Sequence, residues 1–414
     1  MEGKDLSRRL DTLAILIVVF LVVLTAVPGA WAEREYKTLY RFTGNATDGQ
    51  APIAGLIFDK AGNLYGTTFQ GGAYDDGTVF KLTPNSEGAW AESVLHSFNV
   101  DDKDGGYPFA GVMLDSAGSL YGTTGYGGAY DYGTVFKLTP HNDGSWAESV
   151  LYSFDGNHGR TPRGGLIFDA AGNLYGTTAA GGSGCNGDGC GTIFKLTPNK
   201  DGSWTERVLH RFNITDGYAP VAGLTFDLAG NLYGTTQDAG VYDGFGTVFK
   251  LTPRSCGSWT EMVLYQFLGG VDGAFPSANM IFDKTGNLYS TTWTGGTDSW
   301  GTVFKLTPSK HGEWTESVLH SFTNDGEDGL EPLSGVIFDP VGNLYGATSE
   351  GGAYGKGTVF KLTLSGEETV LHSFKDHPGA SPAGGIIFDE RGNLYGTTSG
   401  DYSKTHGSVF EITQ

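Results

Sequence analysis

The chain has 414 residues, with 26 Lys and Arg against 46 Asp and Glu, and a formal net charge of −20. A negative field of this size repels phosphate backbones, so the composition argues against nucleic acid as a partner. The 67 glycines recur at fixed turn positions. This regularity indicates turn chemistry and not a disordered linker.

The first 32 residues have the features of an export signal. A basic start is followed by an uncharged apolar stretch over residues 12–32, and the A-W-A motif at residues 30–32 fits a cleavage site. We therefore expect residues 1–32 to be removed and residues 33–414 to be exported to the periplasm, the cell surface or the medium. The alternative is an uncleaved membrane anchor, because the apolar stretch is nearly long enough to span a bilayer.

One unit is repeated seven times after this segment. It reads G-L-I-F-D-x-x-G-N-L-Y-G-T-T, then a glycine-rich loop, then G-T-V-F-K-L-T-P, then G-x-W-x-E-x-V-L-H-S-F. Its four apolar runs are rich in β-branched and aromatic residues, which is typical of strands. A unit of roughly 50 residues with four strands predicts a β-propeller. In the first unit the predicted strands are Gly55–Asp59, Asn63–Thr68, Thr78–Thr83 and Glu92–Phe98.

The order of the strands predicts how the repeat array closes. A fourth-strand pattern, Leu39–Phe42, precedes the first complete unit, and the last unit stops after its third strand, Ser408–Thr413. Pairing these two segments closes a ring and removes the exposed edges of an open array. We therefore predict an all-β domain over residues 33–414. It is a seven-bladed propeller with four antiparallel strands per blade, closed by pairing the N-terminal strand with the last blade.

The repeat resembles a known family. Its G-L-I-F-D-x-x-G-N-L-Y-G-T-T and G-T-V-F-K-L-T segments are similar to the GloVer tandem repeat of bacterial exported, choice-of-anchor proteins, over about residues 36–413. The D-x-x-G-N-L-Y core is more loosely similar to NHL and gluconolactonase-like propeller repeats. The resemblance implies export and repetition but no established activity. Some members carry a C-terminal surface anchor, and no such segment follows the last strand in this sequence.

Two sets of loops should meet on one face of the propeller, around the mouth of its channel. The loops between strands two and three carry a repeated Tyr, and the loops between blades repeat D-G-x-x-P. Aromatic rings beside carboxylates suit sugars, whose C–H faces stack and whose hydroxyls need acceptors. The structural alternative is that the Asp shapes a turn and the Tyr packs over glycines. The residues are Tyr74, Tyr130, Tyr242, Tyr354 and Tyr402, with Asp48, Asp104, Asp216, Asp272 and Asp328.

Departures from the repeat are a second guide to a binding site. Five of the eight tryptophans share one hairpin position, which favours a packing role, whereas Trp293 and Trp300 flank Asp298 in the fifth unit's glycine-rich loop. Asn279 replaces the Gly that begins the inner strand in the other units. In the third unit Arg160 and Arg163 replace smaller or uncharged residues, and His158 replaces the repeated Asp. We expect these residues to line a ligand site on the mouth face. Sequence drift in tolerant loops is the alternative.

The remaining residues give little support for catalysis or metal binding. No H-E-x-x-H, G-x-S-x-G or phosphate-loop motif occurs. Cys185 and Cys190 lie in one loop, and in an exported protein they favour a disulfide; zinc is less favoured because two ligands do not fill a tetrahedral site. The acidic loop at residues 101–105 lacks the ligand spacing of a calcium site, so calcium is unsupported. We expect no cofactor and no metal.

These observations favour an exported, non-catalytic propeller. We expect it to be a monomer that binds a polysaccharide or an extracellular or envelope protein through its mouth face. Contact with a membrane would occur only through an uncleaved N-terminal segment. The alternative is a carbohydrate- or lactone-active propeller enzyme, an analogy that rests on the fold alone.

Overall fold

A computed structural model describes residues 34–101, 103–238, 244–375, 379–400 and 405–414. The export signal, Tyr242 and Tyr402 lie outside these residues. Residues 36–413 form one compact unit. Among the described residues, no helix is long and apolar enough to cross a membrane.

The described residues form short β-strands and one 3₁₀ turn, Cys185–Gly187. In chain order the strands are β1 (Tyr36–Arg41), β2 (Gly49–Gln50), β3 (Ile57–Phe58), β4 (Leu64–Thr68), β5 (Gln70–Gly71), β6 (Thr78–Pro84), β7 (Trp90–Ser97), β8 (Gly105–Gly106), β9 (Met113–Leu114), β10 (Leu120–Thr124), β11 (Tyr126–Gly127), β12 (Thr134–Pro140), β13 (Trp146–Ser153), β14 (Ile167–Phe168), β15 (Leu174–Thr178), β16 (Thr192–Pro198) and β17 (Trp204–Arg211). They continue with β18 (Thr225–Phe226), β19 (Leu232–Thr236), β20 (Thr247–Pro253), β21 (Trp259–Gln266), β22 (Ile281–Phe282), β23 (Leu288–Thr292), β24 (Thr302–Pro308), β25 (Trp314–Ser321), β26 (Gly329–Leu330), β27 (Ile337–Phe338), β28 (Leu344–Thr348), β29 (Glu350–Gly351), β30 (Thr358–Leu362), β31 (Glu368–Ser373), β32 (Ile387–Phe388), β33 (Leu394–Thr398) and β34 (Ser408–Ile412).

Seven four-stranded antiparallel sheets are the blades of a propeller, as the repeat predicts. Six blades each come from one repeat, and the seventh joins the two ends of the chain. In it β1 pairs with β34 through Tyr36↔Ile412 and Arg41↔Ser408, so the predicted closure is confirmed. Blades 1 to 7 are β3-β4-β6-β7, β9-β10-β12-β13, β14-β15-β16-β17, β18-β19-β20-β21, β22-β23-β24-β25, β27-β28-β30-β31 and β32-β33-β34-β1.

The strand bounds differ from the predicted ones at the inner and outer edges of each blade. The inner strand of blade 1 pairs only Ile57 and Phe58, and the residues just before them, Ala54, Gly55 and Leu56, line the central channel. The outer strand begins at Trp90, earlier than predicted, and a bulge in its pairing falls opposite Val79 and Phe80. Additional two-residue strands, such as β2 with β5, join the loops of the mouth face.

The hydrophobic core lies between neighbouring blades and not within one blade. At each interface the Phe directly after one outer strand meets the Phe of the next blade's third strand, edge to face, with ring centroids 5.1–5.3 Å apart. A blade is too thin to bury both of its faces alone, so these contacts provide much of the stability. The pairs are Phe42–Phe80, Phe98–Phe136, Phe154–Phe194, Phe212–Phe249, Phe267–Phe304, Phe322–Phe360 and Phe374–Phe410.

The repeated tryptophans also pack between blades, on the face opposite the mouth. Trp90 contacts Tyr395 across the closing interface, with ring centroids 6.4 Å apart. The Asp of the D-x-x-G-N turn fixes the tyrosine's position, since Asp59 accepts hydrogen bonds from the Tyr65 hydroxyl and the Asn63 amide. The packing role expected for these tryptophans is confirmed. The other pairs are Trp146–Tyr65, Trp204–Tyr121, Trp259–Tyr175 and Trp314–Tyr233.

The closing strand provides a test of this architecture. Leu39 is buried in the cluster between blades 7 and 1, whereas Arg41 on the same strand is exposed. Leu39→Ala should lower the free energy of unfolding by about 2–4 kcal/mol, because it leaves a cavity at the closing interface. Arg41→Ala should change it by less than about 0.5 kcal/mol. Chemical denaturation measures both variants, and equal effects would contradict this closure.

Candidate functional site

The mouth face is built on a backbone frame that repeats in every blade. The residue before each loop proline has a positive φ of 52–58°, a conformation that is costly for any residue other than Gly. Two hydrogen bonds hold it: Ala51 N–H donates to the His406 carbonyl of the neighbouring blade, and Phe69 N–H of the same unit donates to the Ala51 carbonyl, both at 2.9 Å. The seven residues are Ala51, Tyr107, Thr161, Ala219, Phe275, Glu331 and Ser381.

The side chains carried by this frame are not repeated. On blades 1 and 2 they form an aromatic cluster, in which the Phe69 ring centroid lies 5.3 Å from Tyr107 and 4.9 Å from Phe109. Tyr107 contacts Tyr126 edge to face at 5.7 Å. The guanidinium of Arg163 lies 4.6 Å from the centroid of Phe109, in cation–π geometry. The mouth is therefore aromatic on one side and ends at an arginine.

The aromatic cluster leads into a cavity of about 490 Å³ between blades 2, 3 and 4, which we call the mouth cavity. Arg160 and Arg163 both line it, so the structure brings together two of the residues singled out by their departure from the repeat. Three tyrosines also line it and keep between a third and a half of their surface exposed. They are Tyr126, Tyr132 and Tyr218.

The charges in the mouth cavity are unevenly paired. Arg160 Nη2 lies 3.0 Å from Asp188 Oδ1, but no described carboxylate forms an ion pair with Arg163. Burial raises the pKa of Asp238, which lines the same cavity. A guanidinium without an acidic partner, beside exposed phenol rings, is suited to binding a carboxylate or hydroxyl-rich ligand.

The central channel, in contrast, has few functional groups among the described residues that line it. Its volume is about 410 Å³, and residues of all seven blades line it, most of them glycine, alanine or aliphatic, together with Phe109, Ser277 and Ser334. Arg163 at its mouth is the one ionisable side chain among the lining residues that the structure describes. Asn279 lies in the channel wall, where its Oδ1 accepts a hydrogen bond from Gly223 N–H at 2.7 Å. Ser290 donates to the Asn279 carbonyl at 3.0 Å, so this departure is tied into the blade structure.

The two tryptophans of the fifth unit are part of the packing. Trp300 is partly buried against the cluster between blades 5 and 6. The indole Nε1 of Trp293 donates to Glu331 Oε2 at 3.0 Å, and its ring lies 6.3 Å from Phe275. Asp298 is exposed. These residues lie on the mouth face, but not among those that line the mouth cavity.

The other candidate residues lie at the outer rim. His158 Nδ1 is 2.7 Å from Asp155 Oδ2, and both line a separate cavity of about 460 Å³ with Tyr130 and the outer strand β13. Tyr74, Tyr130 and Tyr354 are 52–61% exposed. Lys375 lies over the Tyr354 ring at 4.5 Å.

The Asp of the D-G-x-x-P loop shapes the loop that contains it. Asp48 accepts hydrogen bonds from the backbone N–H of Thr43 and Gly49 and from the Thr43 hydroxyl. At other interfaces the same Asp also meets the outer-strand His or Tyr, as in the 2.9 Å contact between His96 and Asp104. The turn-shaping alternative therefore accounts for this repeated Asp.

A glutamate near the start of the outer strand adds a carboxyl group at six blade interfaces; in five units it belongs to the W-x-E segment, and in the sixth unit it is Glu368. Burial raises its pKa to about 7 in each case. One oxygen of each carboxyl is buried and has no hydrogen-bond partner among the described residues. The six are Glu92, Glu148, Glu206, Glu261, Glu316 and Glu368.

Sequence reasoning missed most of the mouth cavity. Tyr126 occupies a position at which the other units carry small or polar residues, and Tyr218 precedes the positive-φ residue of its loop. These residues could have been found from the sequence, because they differ from the equivalent residues of the other units in the loops beside the proline and before G-T-V-F. Two of the lining residues, Arg160 and Arg163, were found in this way.

Comparisons with known proteins agree with this fold. The profile of the Gloeobacter/Verrucomicrobia repeat matches residues 30–244, 89–284 and 227–414, which together cover most of the sequence. The chain belongs to the Gloeobacter/Verrucomicrobia repeat family. This assignment confirms the resemblance inferred from the repeated motifs. Among curated protein sequences, none matches this member of the family.

Solved structures similar to this Gloeobacter/Verrucomicrobia repeat protein share its fold. A protein assigned as a 6-phosphogluconolactonase of Bacteroides fragilis is 15% identical, with a TM-score of 0.52 over 83% of this chain and 87% of its own. A puromycin hydrolase mutant is 14% identical, with a TM-score of 0.53 over 88% of this chain and 52% of its own. The polysaccharide lyase Uly1 is 11% identical, with a TM-score of 0.50 over 89% of this chain and 91% of its own. At these identities the likeness establishes the propeller fold alone.

Substitutions of the two tryptophans in the fifth unit test whether Trp300 has a packing role. Trp300→Ala should lower the free energy of unfolding by about 3 kcal/mol, because it removes a large side chain from an interblade cluster. Trp293→Phe keeps a ring and loses one hydrogen bond, so its cost should be under about 1.5 kcal/mol. Urea denaturation measures both. If Trp300→Ala unfolds at the wild-type midpoint, the indole does not support the blade interface.

The raised pKa of Glu316 predicts how the stability of the protein changes with pH. Burial and the charge of Asp272 raise the pKa of its carboxyl to about 7, from 4.5 in a solvated chain. The folded protein therefore holds this proton more tightly than the unfolded chain does, and stability falls as pH rises from about 5 to above 7. The melting temperature of Glu316→Gln should fall less than that of the wild type between pH 5 and pH 8. An identical fall in both proteins would show that Glu316 does not titrate in this range.

Proposed function

We propose that this protein is an exported, non-catalytic propeller that binds a glycan through the mouth cavity. The observation that carries the proposal is the meeting of three half-exposed tyrosines with Arg160 and Arg163 in one concave site. We infer that residues 1–32 direct export to the periplasm, the cell surface or the medium. The expected ligand is a polysaccharide of the envelope or the surroundings.

The tyrosines supply the surfaces that a sugar ring needs. Tyr126, Tyr132 and Tyr218 each keep 36–42% of their surface exposed while the rest is held by packing. Rigid aromatic faces lose little conformational entropy on binding, and a phenol hydroxyl can form hydrogen bonds with sugar hydroxyls. A cavity of about 490 Å³ accommodates one or two sugar rings, which fits the lower range of ligand pockets.

Arg163 favours a sugar that carries a carboxylate. Its guanidinium is held over Phe109 and has no carboxylate partner among the described residues. A planar guanidinium pairs with a carboxylate through two parallel hydrogen bonds, which adds both affinity and orientation. The overall charge of −20 opposes indiscriminate binding of polyanions. Affinity for an acidic glycan would therefore depend on this local arginine and not on the whole surface.

A binding experiment with matched variants tests this proposal. Residues 33–414 are screened against arrays of neutral and uronate-containing glycans, and hits are quantified by calorimetry. The double variant Tyr132→Ala, Tyr218→Ala should bind at least about 10-fold more weakly, equivalent to ~1.4 kcal/mol. Arg163→Gln should weaken binding of uronate-containing glycans more than that of neutral ones.

Rim tyrosines serve as the control. The double variant Tyr74→Ala, Tyr354→Ala removes residues that are at least as exposed but lie outside the mouth cavity, so its affinity should equal that of the wild type. Equal losses in both double variants would place the ligand elsewhere. A wild-type protein that binds no glycan would contradict the proposal and favour a protein partner. Trp293→Phe, measured in parallel, reports whether the fifth unit takes part.

A further inference from the structure

A second group of polar side chains lies at the interface between blades 3 and 4, away from the mouth cavity. His210 is on the outer strand β17, Asp216 is in the loop that follows it, and Glu261 is on the outer strand β21 of the next blade. His210 Nε2 is 3.1 Å from Asp216 Oδ2. One ligand atom from each residue lies within 4.8 Å of the other two.

The site is shielded and held in shape. The side chains of His210 and Asp216 are only 19% and 14% exposed. Asn213 fixes the Asp216 carboxylate, because its backbone N–H and its side-chain Nδ2 each donate to one carboxylate oxygen at 2.8 Å. A carboxylate oriented in this way by a neighbouring amide is typical of metal ligands with an organised outer shell.

Glu261 lacks the partner that its burial requires. Its Oε1 is buried, and no described residue donates a hydrogen bond to it. A buried polar atom without a partner costs about 1–3 kcal/mol. Among the described residues, no lysine or arginine forms an ion pair with any of the three groups. The cluster thus holds two carboxyl groups and an imidazole with no cation between them.

We propose that His210, Asp216 and Glu261 bind a divalent transition-metal ion, Zn²⁺ in the first instance, which links blades 3 and 4. An imidazole nitrogen with two carboxylate oxygens is a donor set that suits Zn²⁺ and disfavours Ca²⁺, which prefers oxygen alone. A tetrahedral Zn²⁺ site needs ligand atoms roughly 3.4 Å apart. The His210–Asp216 spacing meets this need, and a rotation of the Glu261 side chain brings the third atom in, with water as the fourth ligand.

Related sets of residues occur elsewhere in the chain, but among the described residues only His210, Asp216 and Glu261 have ligand atoms that all lie within 4.8 Å of one another. The same three residue types recur at two other interfaces, where His96 and His320 lie 2.9 Å and 3.0 Å from their Asp partners. At the interface between blades 4 and 5 the histidine is replaced by Tyr265, whose hydroxyl donates to Asp272 at 3.0 Å. A neutral phenol is a poor metal ligand, so that interface should bind no zinc. The related clusters are His96, Asp104 and Glu148, and His320, Asp328 and Glu368.

Replacement of histidine by tyrosine gives a test that preserves the fold. Residues 33–414 without a polyhistidine tag are stripped with chelator and titrated with Zn²⁺ in a calorimeter. His210→Tyr copies the contact that Tyr265 makes, so its melting temperature without metal should equal that of the wild type. The variant should lose one bound zinc relative to the wild type and lose the rise in melting temperature on adding Zn²⁺. Tyr265→Phe should bind as much zinc as the wild type.

Two further measurements complete the test. The triple variant His96→Tyr, His210→Tyr, His320→Tyr should bind no zinc above the level of nonspecific surface sites. Ca²⁺ in place of Zn²⁺ should give no difference between wild type and His210→Tyr. A wild type that binds no more zinc than the triple variant, or a His210→Tyr variant that binds as much as the wild type, overturns the proposal. Glycan binding is measured on the same proteins and should be unchanged, which separates this site from the mouth cavity.

Discussion

The edge-to-face contact between two phenylalanines at each blade interface is the interaction on which the rest of the structure depends. One ring comes from the end of an outer strand and the other from the third strand of the next blade, and both are fully buried. Seven such pairs hold the blades at one spacing. Closure between blades 7 and 1 uses the same contact, Phe42 with Phe80. The segment of residues 36–42 is therefore a structural part of the ring and not an appended arm.

This contact also constrains the sequence around it. Six units have glycine in the middle of the second strand, because a side chain there would meet a phenylalanine ring. A Cβ added at Gly66, for example, would lie about 2.6 Å from the Phe80 ring. The fifth unit carries Ser290 instead, and its hydroxyl bonds to carbonyls of the inner strand. Asn279 is part of the same rearrangement. Asn279, which suggested a ligand site because it departs from the repeat, thus takes part in the packing of its own blade through its contact with Ser290.

The fold could be predicted from sequence because strand pattern, turn residues and repeat length all favoured one architecture. The closing pair of strands followed from counting units. The site was harder, because side chains distant in sequence meet only once the blades are arranged in a ring. Arg160 and Arg163 were recognised as unusual, but Tyr126 and Tyr218 belong to different blades and nothing local links them. Trp293 and Trp300 were prominent by residue type, yet their contacts depend on neighbours from the following blade.

The closing strand has a consequence for the order in which the molecule can be completed. Residues Tyr36–Arg41 are synthesised well before their partner, Ser408–Ile412. Until that partner arrives, the first strand has no sheet to join and the first blade lacks its neighbour. A chain that lacks Ser408–Ile412 therefore cannot close the ring through this pairing.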